Sequence, residues 1–254
     1  MHRTGELYGH FETLEQQKDS ATLGMWIFLV TEVLFFGGLF LTYAVNRHLY
    51  FTAFGVGGNM LDLTLGATNT VVLIASSFTM AMSVWAAQTS RKKLLPLFLI
   101  LTFLLGFVFL GIKYVEYKQK FDHHLVPGRS FDLTYRINHP APGDDPKELA
   151  AERAEIEDAL RTEAPGRNPQ EALTALNAHA QLYFSLYFGM TGLHALHMIV
   201  GGGLLVWVIG ESFKGRFSAA YNTPIEIVGL YWHFVDIVWI YLFALLYLIN
   251  RHAV

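Results

Sequence analysis

Three apolar stretches of the sequence contain ionisable side chains, and these residues are the first candidates for chemistry. Glu32 lies in LVTEVLFFGG, His194 and His197 lie in TGLHALH, and His233 and Asp236 lie in YWHFVDIVW. Residues three apart share one face of a helix, so the two histidines of TGLHALH are neighbours, as are His233 and Asp236. Histidine is the commonest metal ligand, so imidazoles combined with a carboxylate could hold a metal ion or a haem.

The same groups, together with Glu116, could instead satisfy one another in a buried polar network between helices. The His233 and Asp236 pair is flanked by Trp232 and Trp239, which favours this packing role over an ion site. The sequence has no cysteine, which excludes disulfides, thiolate-held iron–sulfur clusters, CxxCH haem attachment and cysteine-bridged copper. We therefore predict that this chain has no catalytic residue, no cofactor and no metal of its own.

Glu32 admits two interpretations. A charged carboxylate in the middle of a membrane costs at least a few kcal/mol, so it must be protonated, paired or hydrogen-bonded. It could relay protons or act as a gate, or it could be a structural hydrogen-bond anchor between helices. We favour the anchor, because no second acid continues a proton chain in the sequence.

Glu116 and a basic turn complete the candidate residues. Glu116 follows Lys113 by three positions in KYVEYK, which predicts an ion pair at the membrane interface, with Tyr114 and Tyr117 as aromatic anchors. Lys214 and Arg216 form a basic turn that is predicted to contact anionic lipid head groups, at about 1 kcal/mol for each charge.

The elements that position these residues are membrane helices. The sequence is 53% hydrophobic and only 15% charged, and its charges avoid the long apolar stretches. Each of these stretches exceeds the roughly 20 residues that cross a bilayer as a helix, and an open strand would leave its backbone unpaired in lipid. The predicted fold is an all-α integral membrane protein, a five-transmembrane-helix bundle with a long polar extramembrane loop between helices three and four. The predicted spans are about 22–46, 64–88, 94–116, 179–210 and 223–249.

The chain accordingly divides into four predicted regions. Residues 1–21 are a polar cytoplasmic arm, 22–117 hold helices one to three, 118–178 form the polar loop, and 179–254 hold helices four and five. Orientation follows from the positive-inside rule, which puts the N-terminus in the cytoplasm and the C-terminus and residues 118–178 outside. The basic residues predicted to be inside are Arg3, Lys18, Arg91, Lys92, Lys93, Lys214 and Arg216; those outside are mainly Arg47 and Arg251.

The polar block 118–178 combines two kinds of sequence. Residues 121–146 are rich in turn formers, whereas 147–163 favour a solvated helix with opposite charges three and four apart. Asn168 is a candidate cap for a further helical run, 169–180, leading into the fourth span. Such a polar segment cannot build a core of its own, so we expect it to become ordered by lying against another protein. The alternative is a solvated, mobile loop without a partner.

The apolar segments also resemble a known family. The runs LGMWIFLVTEVLFFGGLFLTY, NTVVLIASSFTMAMSVWA, GIKYVEY, TGLHALHMIVGG and YWHFVDIVWIYLFALLYL resemble, in order, the spans of subunit III of the haem–copper (cytochrome c) oxidases. The sequence lacks the two additional N-terminal helices of the family's longer form, so it resembles the five-helix bacterial form. It also departs from the family in the length of 118–178 and in Lys113, where related sequences commonly have glutamine.

The resemblance implies a non-redox subunit of a proton-translocating cytochrome c oxidase in the bacterial inner membrane. Such a subunit binds oxidase subunits I and II and membrane lipids, and it stabilises subunit I and supports proton uptake and turnover. Haem and copper would reside in subunits I and II. Residues 118–178 could dock on subunit II or on another respiratory complex, and no basic run is long enough to indicate nucleic acid.

Two other functions remain as alternatives. A quinol oxidase uses the same kind of subunit, although the arm ETLEQQKDSATLGMW is more similar to the cytochrome c branch. A stand-alone transporter or proton channel could be built around Glu32 and the histidines. Such proteins usually have broken helices or matched halves, and neither is evident in the sequence.

Overall fold

A computed structural model describes residues 11–141, 144–163, 166 and 168–249. These residues form eight α-helices and no β-strand, which confirms the predicted all-α class. Arg3 and Arg251, which contributed to the predicted orientation, lie outside the described residues. The helices are α1 (Leu14–Leu49), α2 (Phe51–Asn59), α3 (Leu63–Gln88), α4 (Leu94–Asp122), α5 (Tyr135–Asn138), α6 (Pro146–Glu163), α7 (Pro169–Phe213) and α8 (Thr223–Phe243), and α8 continues as a π-helical turn, Ala244–Leu248.

Five of the described helices are long and apolar enough to cross a membrane, as predicted. They are α1, α3, α4, α7 and α8 together with its π-helical turn. Helix α1 begins earlier than the predicted span, whereas α7 begins where the helical run 169–180 was predicted to begin, and a polar residue caps each. Thr13 Oγ1 accepts the Gln16 backbone N–H at 3.1 Å, and Asn168 Oδ1 accepts that of Gln170 at 3.2 Å. The run 169–180 and the fourth span are therefore one helix of 45 residues.

Helix α2 was not predicted, because its sequence FTAFGVGGN is rich in glycine and short. Glycine is needed there for a close approach. A Cβ atom on Gly57 would lie 2.5 Å from Cδ1 of Tyr183, so only hydrogen fits beside that ring.

The chain divides into two compact units, and the first takes in Met1–Phe36, Thr68–Gly111 and Leu193–Tyr241 as far as these are described. Its core contains two buried tryptophans that also donate hydrogen bonds. Trp232 Nε1 donates to Ser76 Oγ at 2.9 Å, and Trp239 Nε1 donates to Thr70 Oγ1 at 3.1 Å. Gly106 leaves room for Trp232, since a Cβ there would lie 2.8 Å from the indole.

The second unit takes in Gly37–Ala67, Ile112–Gly192 and Leu242–Val254 as far as these are described. Here α6 packs against α2, with Ile156 and Ala159 buried and Asn59 Nδ2 donating to Glu155 Oε1 at 2.6 Å. The predicted helix over 147–163 is thus confirmed. The expectation that this block needs another protein to become ordered is wrong, because it packs on its own unit.

Candidate functional site

Glu32 on α1 and His197 on α7 form a pair inside the first unit. Glu32 Oε2 lies 3.2 Å from His197 Nε2, and the two side chains are 19% and 16% exposed. The other ring nitrogen, Nδ1, lies 2.8 Å from the Leu193 carbonyl and must donate to it, since a carbonyl only accepts. A hydrogen bond at Nε2 then requires one proton, held by either the ring nitrogen or the carboxyl. The two side chains therefore share a single proton along this hydrogen bond.

The surroundings of this pair fix the ring in place. The Phe36 ring meets the imidazole edge-on at 5.4 Å between centroids. The Tyr231 hydroxyl donates to the His197 carbonyl at 3.0 Å. One imidazole and one carboxylate are too few ligands for a metal ion. Among the residues that the structure describes, no group of three or more His, Cys, Asp or Glu side chains could hold one.

His194 has a different environment from His197, although the sequence places them three apart. Its buried ring meets Phe109 edge-on at 5.4 Å and lies 5.3 Å from the Trp239 ring. The two imidazoles therefore contact different neighbours, and His194 belongs to the aromatic core of the first unit.

His233 and Asp236 on α8 lie beside a serine on α3. Ser77 Oγ is 2.7 Å from His233 Nδ1, and Asp236, which is 4% exposed, interacts with the same serine. Sequence reasoning missed Ser77, because a serine in an apolar span gives no signal of its own. These three residues open onto a surface groove of about 340 Å³, called here the α3–α8 groove. Its lining is Leu73, Ile74, Ser77, Phe78, Ala81, His233, Asp236, Ile237 and Ile240.

Lys113 and Glu116 on α4 form an ion pair in the second unit, with Lys113 Nζ 2.8 Å from Glu116 Oε2. The pair was expected from the sequence, and its two residues are only 3% and 0% exposed. Helix α4 continues to Asp122, so both residues lie within the helix rather than at its end. The Tyr187 and Tyr247 hydroxyls donate to Glu116 Oε1 at 2.7 and 2.5 Å.

The predicted aromatic anchors beside this pair differ from each other. Tyr114 is exposed on α4, as an anchor requires. Tyr117 is partly buried, and its hydroxyl bonds Thr191 Oγ1 at 2.6 Å. Tyr117 is therefore a link to α7, and its ring also lies 5.1 Å from Lys113 Nζ.

The basic turn after α7 carries an acidic partner that the sequence analysis overlooked. Glu211 Oε1 accepts from Lys214 Nζ and Oε2 accepts from Arg216 Nη1, each at 2.7 Å. The three residues together therefore carry a net charge of +1. Both cations remain substantially exposed, and Arg216 borders an apolar cavity of about 720 Å³ that is also lined by Lys18 and Trp207.

A second charge cluster, also missed, holds the polar block together around Arg136. Its guanidinium bonds Asp144 at 3.1 Å, Glu148 at 3.0 Å and Glu152 at 3.2 Å. The backbone N–H of Ala141 and the Arg136 charge hold the pKa of the Asp144 carboxyl below its ordinary value. Burial raises the pKa of Glu152, against the opposing effect of Arg136.

The polar residues of the spans are thus tied mostly to one another, as in a scaffold of membrane helices. The family model described as cytochrome c oxidase subunit III matches residues 1–123 and 171–251. This chain belongs to the cytochrome c oxidase subunit III family. Members of this family are subunits of multi-subunit haem–copper oxidases, so the resemblance inferred from the sequence is confirmed.

Similar proteins carry both of the names that the sequence analysis left open. Cytochrome c oxidase subunit 3 of Thermostichus vulcanus is 27% identical over 93% of this chain and 90% of its own length. Probable quinol oxidase subunit 3 of Staphylococcus haemolyticus is 28% identical over 90% of this chain and 88% of its own length. The subunit III family match leaves out residues 124–170, the segment that contains α5 and α6.

Proposed function

We propose that this chain is the non-redox subunit III of a respiratory cytochrome c oxidase, which stabilises subunit I and supports proton uptake and turnover. Haem and copper would reside in subunits I and II, and the chain itself would be non-catalytic. One observation carries this proposal. In the described spans, Glu32 on α1 is paired with His197 on α7, and Glu116 on α4 accepts from Tyr187 on α7 and from Tyr247 in the π-helical turn after α8. These carboxylates therefore tie helices together instead of converging on a common ligand.

The proposal includes a location. The oxidase would lie in the bacterial inner membrane, with the N-terminus in the cytoplasm and the C-terminus and residues 118–178 outside. Among the described residues, Arg91, Lys92 and Lys93 support this orientation, because they connect α3 and α4 on the side from which α1 starts. Lys214 and Arg216 would contact anionic lipid head groups from the same side, weakened by their pairing with Glu211.

Purification of the oxidase in mild detergent, followed by separation of this chain, tests the proposal. The separated chain should show no haem absorbance and no stoichiometric iron or copper. The remaining complex should keep its haem spectrum and lose activity faster during turnover, and re-addition of the chain should restore the lifetime. Iron or copper bound by His194, His197, His233 or Asp236 would overturn the proposal.

The electron donor needs its own measurement. Similar proteins include both cytochrome c and quinol oxidase subunits at nearly equal identity, so the preference for cytochrome c comes from the N-terminal arm. Oxygen consumption by the purified complex should be supported by reduced cytochrome c and not by a reduced quinol. The reverse result would assign the chain to a quinol oxidase while leaving its subunit III role intact.

We further propose that residues 118–178 dock on the outer domain of subunit II or on another respiratory complex. Packing of α6 on α2 orders the block and leaves the opposite side of α6 exposed. That side carries charges of both signs, including Lys147, Arg153, Glu157 and Arg161. A rigid, charged surface loses less entropy on docking than a mobile loop would.

A further inference from the structure

We infer that the α3–α8 groove receives a transmembrane helix of a partner oxidase subunit, which presents a hydrogen-bonding side chain to Asp236. The inference rests on the proposed function, since it identifies the face through which the chain would join its complex. Three observations carry it: the position of the groove halfway along the helices that form it, the unmet hydrogen-bonding capacity of its polar atoms, and the rows of exposed apolar side chains along its rim.

The groove lies far from both ends of the helices that form it. Ser77 is near the middle of α3 (Leu63–Gln88), and Asp236 is near the middle of the span Thr223–Leu248. In a bilayer these positions fall in the hydrocarbon core. Water and lipid head groups are excluded there, so neither can hydrogen-bond the carboxyl.

The polar atoms in the groove have more hydrogen-bonding capacity than their neighbours can meet. Both carboxyl oxygens of Asp236 are buried and have no well-formed hydrogen bond within the part of the chain that the structure describes. Ser77 has one hydroxyl proton, and its oxygen is already bonded to His233 Nδ1. Even if that proton turns to Asp236, it satisfies only one of the carboxyl's sites.

This deficit discriminates between the possible occupants. A lipid tail has no hydrogen-bonding group and would leave a carboxyl in hydrocarbon, at a cost of a few kcal/mol. A side chain such as serine, threonine, asparagine or glutamine on a neighbouring helix can meet the need. Membrane helices associate through such bonds together with close packing, because lipid offers no hydrophobic driving force.

The rim of the groove has the form of a helix-packing surface. On α3, Val71, Ile74 and Phe78 are exposed at spacings of three and four, which places them in one row. On α8, Ile237 and Ile240 form the facing row. Ala81 in the lining is small, which allows another helix to approach closely.

Photocross-linking in the intact complex provides the direct test. Phe78, at 66% exposure on the rim, is replaced by benzoylphenylalanine, and Phe107 on α4, which is equally exposed, is replaced as the matched control for lipid adducts. The Phe78 position should give an adduct whose peptide comes from a transmembrane helix of another oxidase subunit. Adducts with lipid alone, or with a second copy of this chain, would overturn the inference.

Two substitutions test the hydrogen bond itself. Asp236→Asn keeps a group that donates and accepts, whereas Asp236→Leu removes both capacities at similar volume. The fraction of this chain that stays with the oxidase in detergent should be about threefold to tenfold lower for Leu than for Asn. Ser83→Ala is the control, because Ser83 is buried on α3, the other helix of the groove, and among the described residues it bonds only to Met80 on its own helix.

The outcomes separate this inference from the proposed function. Equal retention of the Asn and Leu variants would overturn the inference that a partner helix hydrogen-bonds Asp236 in the groove, and would leave the subunit III role intact. Failure of the unaltered chain to co-purify with haem-bearing subunits would overturn the proposed function itself. If the Leu variant does not accumulate in the membrane, the cross-link from position 78 in a chain that keeps Asp236 still tests whether a partner helix occupies the groove.

Discussion

At the scale of single residues, Lys113 shows how a charge can be buried in this chain. Its ammonium group donates to Glu116 and to the Tyr187 and Tyr247 hydroxyls, so its three donors have three partners. Glu116 accepts from Lys113, Tyr187 and Tyr247. Burying two ions is costly, and the cost is offset only when every polar atom has a partner, as it does here. Removing one member should therefore be worse than removing both charges.

We predict that Lys113→Met strongly destabilises the protein, by about 3–5 kcal/mol, because it leaves the Glu116 charge buried alone. The double variant Lys113→Met and Glu116→Gln should recover at least half of that loss. Thermal unfolding of the purified complex in detergent measures the effect, and Lys118→Met, on the exposed side of α4, is the control. A double variant less stable than the single one would contradict this account.

Glu32 leads to a prediction of a different kind, because its bond to His197 needs only one proton. Glu32→Gln should preserve assembly and most oxygen consumption, since the amide can donate to Nε2 without a charge. Glu32→Ala should lower the yield of complex, because Nε2 then loses its partner. Yield and oxygen consumption are measured together. If the Gln variant assembles but does not turn over, Glu32 is an obligatory proton carrier.

These residues also mark the limit of sequence reasoning at this scale. Glu32 and Glu116 were identified because an acid in an apolar run stands out from its neighbours. The neighbouring Lys113 was expected beside Glu116. Which distant residue would bond each acid was not predicted, since His197 is 165 positions from Glu32 and Tyr247 is 131 positions from Glu116. The presence of an ionisable group in a span is local information. The partner that satisfies it depends on how distant helices pack.

At the scale of elements, the spans were predictable and several helix ends were not. The length of an apolar run determines whether a helix can cross the membrane, but caps such as Thr13 determine where α1 begins. The π-helical turn Ala244–Leu248 had no signal at all in the sequence. Its carbonyls are satisfied by distant tyrosines, since Tyr43 donates to Leu245 at 2.9 Å and Tyr183 to Leu246 at 3.2 Å.

We predict that Tyr183→Phe destabilises this turn by about 1–2 kcal/mol, because the Leu246 carbonyl loses its hydroxyl donor in a buried site. Hydrogen exchange of the backbone amides in 244–249 should rise in the purified complex. Tyr114→Phe removes an exposed hydroxyl from α4 and serves as the control. Unchanged exchange in the Tyr183 variant would show that the hydroxyl bond does not hold the turn.

The polar block depends on Arg136 in a similar way. Arg136→Gln should loosen α6 from α5, because Asp144, Glu148 and Glu152 lose their common cation and repel one another. Limited proteolysis between residues 139 and 168 should then become at least threefold faster. Arg153→Gln removes an exposed arginine from the same helix and should leave the rate unchanged. Equal rates in the two variants would show that packing on α2 alone holds the block.

At the scale of the whole molecule, the chain combines five spans that the family model matches with a polar segment that the model leaves out. The subunit III match covers every candidate span in full, except for the first two residues of α7, and it omits 124–170, where α5 and α6 lie.

Deleting residues 141–168 and closing the gap with a short Gly/Ser linker spares α4 and α7. We expect the five spans to insert and the haem spectrum to stay normal, because the deleted residues lie outside the five spans and beyond the family match. Association with the outer domain of subunit II or with a second respiratory complex should weaken, and native electrophoresis of membranes solubilised in mild detergent measures it. A replacement of the exposed α6 charges Arg153, Glu157 and Arg161 by glutamine is the matched variant, since it keeps the helix and its contact with α2. If both variants leave the composition of the complexes unchanged, the block has no docking role and serves only to cover α2.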